Sequence, residues 1–256
     1  MSLRNVFRRA LGLGFIVLFA GVLSGCTYRY QVGYFAPASE EKQISGVKLL
    51  DDGTVLYVRE RLEIGLRAMT DAELNRRFPQ DSHQGLDSTN PYTYGNWVPI
   101  GESSTPSRFT VFLLSVKNYT YPKMLVDPSN LTIVAKNGRV YFPWSRERIE
   151  EYYLPFIQGY AGNTYEQFER RKDILKRTLY PAHQFIFSGQ ESFGYVVFPR
   201  LDDDVREITV YLNNIVLRFD SWGRPAETID LQYHFYRDVK KVYYPLLVTS
   251  QPSSPK

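Results

Sequence analysis

The chain has 256 residues, of which 43% are hydrophobic and 23% charged, a balance that fits one large or two small folded domains. The same balance excludes a collagen-like or disordered chain. Lys and Arg exceed Asp and Glu by four, but Arg4, Arg8 and Arg9 lie in a leading segment with no acid before Glu40. Without these three, 28 basic residues face 27 acidic ones. The composition therefore gives no basis for a nucleic-acid partner.

Residues 1–25 are predicted to form a signal peptide. The basic residues up to Arg9 are followed by thirteen apolar residues, 10–22, which suit a signal-peptide h-region and are too few for a membrane-spanning helix. The segment ends in Leu23-Ser24-Gly25-Cys26. This tetrapeptide resembles the lipobox of bacterial lipoproteins, in which an aliphatic residue, a small residue and Gly or Ala precede an invariant Cys. An ordinary secretory leader that ends near a cysteine is the alternative.

The lipobox resemblance implies a lipid anchor at Cys26. In that family, signal peptidase II cuts before the Cys, and the Cys sulfur carries a diacylglyceryl group. Cys26 is the only cysteine, so the mature protein has no internal disulfide. Each buried acyl methylene contributes about 0.8 kcal/mol, so two or three chains hold a protein on a membrane. In Gram-negative members the residue after the Cys directs sorting, and Thr27 favours the outer membrane.

The first half of the mature chain alternates between apolar and polar residues, as half-buried strands do. Residues 28–34 predict a strand, although their tyrosines also suit an aromatic anchor at a membrane interface. Residues 47–50 and 54–58 predict a hairpin that turns at Asp51-Asp52-Gly53. A capping box, Thr70 to Glu73, predicts a short helix that Pro79 ends.

The second half predicts further strands and one helical insertion. Residues 109–117 are apolar on both faces and predict a central strand, which a hairpin at Asn137-Gly138 follows. Turns are expected at Asn213-Asn214 and at residues 222–225. Residues 145–180 predict two helices, with Pro155 interrupting the first. Further strands are predicted at residues 184–187, 193–198, 208–212, 215–219 and 229–236.

These runs resemble the immunoglobulin-like β-sandwich modules of bacterial surface proteins, over residues 109–236 without the insertion. The resemblance implies a mainly β fold. Together with the predicted elements, it gives one immunoglobulin-like β-sandwich domain over residues 26–244 with the helical insertion at 145–180. Residues 245–256, rich in Ser and Pro, predict a flexible tail. Such a pattern has no functional specificity.

Catalytic and metal-binding patterns are weak. A zinc site shared by His183 and His234 is one hypothesis, but neither has a partner at helical ligand spacing. Asp202-Asp203-Asp204 is a weak calcium candidate, and a solvated turn is the favoured interpretation because the run lacks spaced oxygen ligands and a glycine. The basic residues around Arg170 and Arg171 suit anionic lipid headgroups, but acids among them favour a mixed solvated face. No cofactor and no enzymatic activity are expected.

Residues 79–107 predict a long loop with aromatic contact residues. Its 29 residues include four Pro, three Gly and five Ser, together with Tyr92, Tyr94 and Trp97. Loops of this length are usually functional or disordered. Three interpretations remain open: stacked aromatics that bind glycan, docking of another envelope protein, and ordered packing over the sandwich edge. The expected function is a non-catalytic structural, assembly or adhesion module, with glycan binding as the alternative.

Overall fold

The computed structural model describes residues 28–83, 85–100, 105–159 and 164–243. The predicted signal peptide, the lipidation site Cys26, the sorting residue Thr27 and the predicted flexible tail lie outside the described residues. Three α-helices are described: α1 (Asp71–Arg77), α2 (Arg146–Gly159) and α3 (Thr164–Thr178). The described strands are β1 (Tyr28–Val32), β2 (Ala36–Pro37), β3 (Val47–Leu49), β4 (Val55–Arg59), β5 (Leu62–Ala68), β6 (Phe109–Asn118), β7 (Lys123–Leu125), β8 (Leu131–Ala135), β9 (Val140–Tyr141), β10 (Phe185–Phe187), β11 (Gln190–Pro199), β12 (Glu207–Phe219), β13 (Pro225–Tyr236) and β14 (Val239–Tyr243).

The chain divides into two compact units. The smaller unit holds residues up to Gln31 and from Lys240 onward, and its described part is a two-stranded sheet of β1 and β14. In it the Tyr28 and Tyr30 rings meet edge-on at 5.5 Å, and the Lys241 Nζ lies 4.8 Å from the Tyr28 ring centroid. The strand predicted from Tyr28 is confirmed, but it ends at Val32 rather than Tyr34.

The larger unit, Val32–Val239, is a mainly β sandwich of two antiparallel sheets. One sheet has five strands in the order β11-β6-β5-β4-β3. The other has seven strands: β10-β7-β12-β13-β2 form its path, β8 also pairs with β12, and β9 pairs with β8. Long antiparallel registers, such as the ten residue pairs between β11 and β6, satisfy the backbone hydrogen-bonding groups.

An apolar core fills the space between the two sheets. Inward-facing residues of β5 and β6, such as Ile64 and Leu114, pack in one cluster with Val210 of β12, and all three side chains are fully buried. Phe112 of β6 lies 5.2 Å from Phe235 of β13, ring centroid to ring centroid. The alternation seen in the sequence thus follows from a pleat that turns every second side chain inward.

The other face of the five-stranded sheet is covered by α2 and α3. Phe109 and Val111 of β6 face away from the sandwich core and join a second apolar cluster with Tyr153 of α2 and Leu175 of α3. This helical layer explains why residues 109–117 are apolar on both faces, and it confirms the helical insertion. The expected interruption at Pro155 is wrong, because α2 continues through Pro155 to Gly159.

The insertion rejoins the sheet at the edge of β11. Tyr180 N donates to Tyr195 O at 2.9 Å, and Trp144 N donates to Val197 O at 2.7 Å. A Cβ on Gly194 would lie 2.4 Å from Tyr180 N, so only glycine permits this close approach. The ends of the insertion therefore occupy backbone groups that an open sheet edge would expose.

Three predicted turns have the expected form, and one does not. The hairpin of β3 and β4 pairs Leu49 with Val55, β8 and β9 form the hairpin at Asn137-Gly138, and β12 and β13 turn at Gly223. The turn expected at Asn213-Asn214 is instead a β-bulge, because β12 runs unbroken from Glu207 to Phe219. Asn214 adopts a positive φ of 54° there, which Asn tolerates better than most residues.

None of the helices in the described ranges is both long enough and apolar enough to cross a membrane.

Candidate binding site

Residues 79–83 and 85–100, here called the cover segment, pack closely against α1 and α3. The segment includes two 3₁₀ turns, Pro79–Asp81 and Gly85–Asp87, so the predicted long loop is partly regular. Asn90 Nδ2 donates to Ser82 Oγ at 3.0 Å, and Asn90 Oδ1 accepts from Tyr92 N at 3.0 Å. Such side-chain bonds to neighbouring backbone hold a segment in place without a strand or helix.

The middle of the cover segment is held against α1. Asn75 of α1 donates from Nδ2 to Gly95 O at 3.1 Å and accepts at Oδ1 from the Thr93 hydroxyl at 2.5 Å. Gly95 has a φ of +63°, and a Cβ there would lie 2.4 Å from Ser82 O. Both its conformation and its close packing therefore require glycine.

Tyr92 is fully buried, so the prediction that it is an exposed contact residue is wrong. Its ring lies 5.1 Å from that of Tyr195 and 5.9 Å from that of Phe78, centroid to centroid. The Tyr92 hydroxyl lies 2.5 Å from Thr178 Oγ1. Burial raises the pKa of Tyr92 far above its usual range. Tyr92 is thus a packing residue that fastens the cover segment to the end of α3.

Tyr94 and Trp97 are half-buried neighbours near the end of the cover segment. Their ring centroids lie 5.4 Å apart at 58°, and the Arg108 guanidinium stacks on Tyr94 with its Cζ 4.0 Å from the ring centroid. Beyond Trp97, Val98 is 47% exposed and Ile100 is fully exposed. Trp97, Val98 and Ile100 are here called the apolar strip.

Val98 and Ile100 were not predicted as contact residues from the sequence, because only the aromatic residues of this segment were considered. The sequence does contain an indication of their exposure. Both are apolar β-branched residues in a segment rich in Pro and Gly, and neither belongs to a helical or strand pattern of apolar residues.

Two buried arginines lie beneath the cover segment. Arg108, at the start of β6, is 5% exposed, and Arg171 of α3 is 4% exposed. Arg108 Nη1 donates to the Tyr153 hydroxyl at 2.6 Å, and that hydroxyl donates to Pro91 O at 2.8 Å. The solvated face predicted around Arg171 is therefore wrong for this residue. A run of charges cannot show which members a helix turns inward, and Arg108 carried no sequence signal.

Asp71, the first residue of α1, is a buried carboxyl. Burial raises its pKa to about 6, against a smaller opposing effect from a Ser107 hydrogen bond and from the Arg108 and Arg200 charges. Its Oδ2 atom has no hydrogen-bond partner in the described structure. Asp71 therefore ionises at about pH 6, near the Arg108 guanidinium.

An open cleft of about 600 Å³ is lined by residues of the cover segment and of α3. Arg170 donates to both carboxylate oxygens of Asp81, from Nε at 2.9 Å and from Nη2 at 3.2 Å. Burial opposes ionisation of Asp81, but the bonds from Arg170 and Thr89 keep its pKa below the usual range. The lining is mostly acidic and polar: Asp81, Thr89, Glu166, Glu169, Arg170 and Asp173.

The three aspartates proposed as a weak calcium candidate form ion pairs on the surface. Arg139 Nη1 lies 3.1 Å from Asp202 Oδ2 and 2.5 Å from Asp204 Oδ1, and Arg200 Nη2 lies 2.6 Å from Asp203 Oδ1. Within the described residues, no group of three or more His, Cys, Asp or Glu side chains is placed to hold a metal ion. The favoured interpretation of this run as a solvated turn agrees with these contacts.

The two histidines of the zinc hypothesis, His183 and His234, have different partners. His183 Nδ1 lies 2.9 Å from Asp127 Oδ2, whereas His234 Nδ1 lies 3.0 Å from Thr209 Oγ1. Burial lowers the pKa of His234 and favours its neutral form.

Comparisons of the chain with protein-family models, with curated proteins and with solved structures give no match.

Proposed function

We propose that this protein is a bacterial envelope lipoprotein whose β-sandwich serves as a binding module for assembly or adhesion. The membrane partner follows from the leader, in which a basic start, an apolar run and Leu23-Ser24-Gly25-Cys26 coincide. Cys26 carries the lipid, and Thr27 directs the mature protein to the outer membrane where one exists. The two facing antiparallel sheets support the immunoglobulin-like assignment.

Lipidation is tested with Cys26→Ser. This variant should keep its leader and lose the mass of the diacylglyceryl group, because the chain has no other thiol. Membrane fractionation and mass spectrometry of the purified chain measure both effects. An unmodified Cys26 in the mature wild-type protein would refute the lipid anchor.

The apolar strip carries the proposal of a protein partner. Ile100 and Val98 are exposed beside half-buried Trp97, on a segment that hydrogen bonds hold firmly to α1. Exposed apolar residues on a pre-ordered support lose little entropy on binding, and tryptophan often contributes a large share of interface energy. The strip is thus suited to contact another envelope protein.

A matched pair of tryptophan variants tests this contact. Cross-linking in the native cell first identifies the envelope partner. Trp97→Ala should then weaken the non-covalent binding of that partner by about 2 kcal/mol, or about 30-fold in Kd. Trp222→Ala is the control, since Trp222 is 83% exposed at the turn between β12 and β13. If both variants retain the partner equally, or if Trp97→Ala only lowers thermal stability, the strip is a packing element.

Glycan binding is the second candidate, and the Tyr94–Trp97 ring pair favours it. The half-buried Trp97 ring, 5.4 Å from the Tyr94 ring, offers an apolar face on which a sugar ring can stack. Pull-down on insoluble envelope glycan should then show saturable retention that Trp97→Ala abolishes. If the wild-type chain is not retained on the glycan, binding of a protein partner remains the proposed function.

A further inference from the structure

Arg108 and Arg171 flank the ring of Tyr153. The Cζ atoms of Arg108 and Arg171 lie 5.2 Å and 4.8 Å from the Tyr153 ring centroid. Arg171 Nη2 donates to Ser88 O at 2.7 Å. Burial lowers the pKa of Arg171, and the Arg108 charge lowers it further. Arginine nevertheless remains protonated in proteins, so two positive charges share one buried site.

Neither charge forms a direct ion pair within the described part of the chain, although Asp71 and Asp87 lie near enough to interact electrostatically with Arg108 and Arg171, respectively. No described carboxylate lies at ion-pair distance from Arg108 or Arg171, whereas adjacent Arg170 is paired with Asp81 at 2.9 Å. The Nε atoms of both buried arginines are enclosed and lack a hydrogen-bond partner among the described residues. Buried charges are costly unless they are paired and hydrogen-bonded. Arg108 and Arg171 meet this requirement only in part, because each has aromatic contacts and one neutral hydrogen-bond acceptor, the Tyr153 hydroxyl for Arg108 and Ser88 O for Arg171.

We propose that Arg108 and Arg171 bind a phosphate group between the cover segment and α2. A phosphate monoester carries close to two negative charges at neutral pH, which matches two guanidinium groups, and its oxygens accept hydrogen bonds from guanidinium N–H groups. The Tyr153 hydroxyl positions Arg108 by accepting from Nη1. The phosphate belongs to a free ion or to a phosphorylated sugar, and this site does not depend on the lipid anchor.

Thermal unfolding of the full chain, followed by circular dichroism, tests the site. Inorganic phosphate at about ten times its Kd should raise Tm by about 3 to 5 °C over sodium chloride of equal ionic strength. Glucose 6-phosphate is the second probe, with glucose as its control. A greater effect of the sugar phosphate assigns the site to a saccharide-borne group, and an equal effect assigns it to the free ion. No rise above sodium chloride with either probe overturns the proposal.

Adjacent arginines supply the matched variants. Arg171→Gln should abolish the phosphate effect and should not lower Tm without phosphate, because it removes an unpaired buried charge. Arg170→Gln should keep the phosphate effect. Loss of the effect in both variants would point to general electrostatic attraction and overturn the proposal.

Two measurements keep the test independent of folding defects. The ¹⁵Nε–¹Hε NMR signals of Arg108 and Arg171 in the wild-type chain should shift saturably with phosphate, and the absence of any shift would contradict binding. Glu102→Gln removes a carboxyl close to Arg108 in the sequence. If phosphate stabilises only Glu102→Gln and not the wild type, the chain neutralises its own arginines and the proposal is wrong.

Discussion

The two faces of the five-stranded sheet are packed with different chemistry. Its inner face meets the seven-stranded sheet through apolar side chains such as Ile64, Leu114 and Phe112. Its outer side is covered by the helices and the cover segment, where Asp71 is buried and Arg108 lies buried against the Tyr94 and Tyr153 rings. The first region is stabilised by burial of apolar area, and the second depends on satisfying buried polar groups. The second region is therefore the one expected to respond to pH, anions and partners.

The largest effect is expected in the sandwich core. Phe112→Ala should lower the free energy of unfolding by about 4 kcal/mol, since it removes a fully buried ring and leaves a cavity beside Phe198 and Phe235. Chemical denaturation measures the change. Phe193→Ala is the control, because Phe193 is 68% exposed on β11 and should change the free energy by under about 0.5 kcal/mol. If the two variants lose equal free energy of unfolding, the core is not confined to the space between the sheets.

A pH-dependent effect is expected at Asp71. Its pKa is raised from 3.8 to about 6, so the folded state favours the protonated form. The contribution of Asp71 to the free energy of unfolding is fully present below about pH 4 and is lost as the pH rises through 6. At pH 8 the free energy of unfolding is therefore lower by about 3 kcal/mol, because each pKa unit corresponds to about 1.36 kcal/mol. Asp71→Asn should therefore stabilise the protein at pH 8 by up to this amount and change little at pH 4.

Denaturant midpoints at the two pH values measure this difference. Asp51→Asn, which alters an exposed carboxyl in the turn between β3 and β4, should leave the midpoint unchanged at both. A pH-independent effect of Asp71→Asn would show that its carboxyl is not the titrating group.

A smaller effect is expected at the hydroxyl that fastens the cover segment. Thr178 Oγ1 donates to Ile174 O at 2.7 Å, so the Tyr92 hydroxyl is the donor in its bond to Thr178. Tyr92→Phe should lower the free energy of unfolding by about 1 kcal/mol. Limited proteolysis should also cut the cover segment faster. Tyr165→Phe, at a 66% exposed ring of α3, should do neither.

The smallest effect on folding is expected in the apolar strip. Ile100→Ala should change the free energy of unfolding by under about 0.5 kcal/mol, because the side chain is fully exposed. Thermal unfolding checks this directly. A large loss of stability would place Ile100 in a packed interface and weaken the assignment of the strip as a contact surface.

Most of the β architecture was predictable because it depends on local patterns. The alternation over residues 28–34, the turn at Asp51-Asp52-Gly53 and the capping box at Thr70 each act within a few residues. The bulge at Asn214 was missed because an Asn pair suits both a turn and a bulge, and only pairing with β13 distinguishes them. Pro155 remains inside α2 because tertiary packing overrides a local preference.

The site was less predictable because its residues are distant in the sequence. Tyr92 and Trp97 looked equivalent in a polar segment, yet Tyr92 is buried beside Thr178 and Trp97 is half exposed. Their difference comes from which side of the cover segment meets the helices.

The sequence by itself determined the strand pattern and the helical insertion, because these follow from periodicity and short motifs. The lipid anchor depends on the resemblance of Leu23-Ser24-Gly25-Cys26 to a lipobox and stays a prediction. The tertiary structure alone decided that Arg108 and Arg171 share a buried site around Tyr153, and that Asp71 is buried near Arg108. Burial depends on what the rest of the chain brings against a residue. A charge pattern read along one segment does not contain that information.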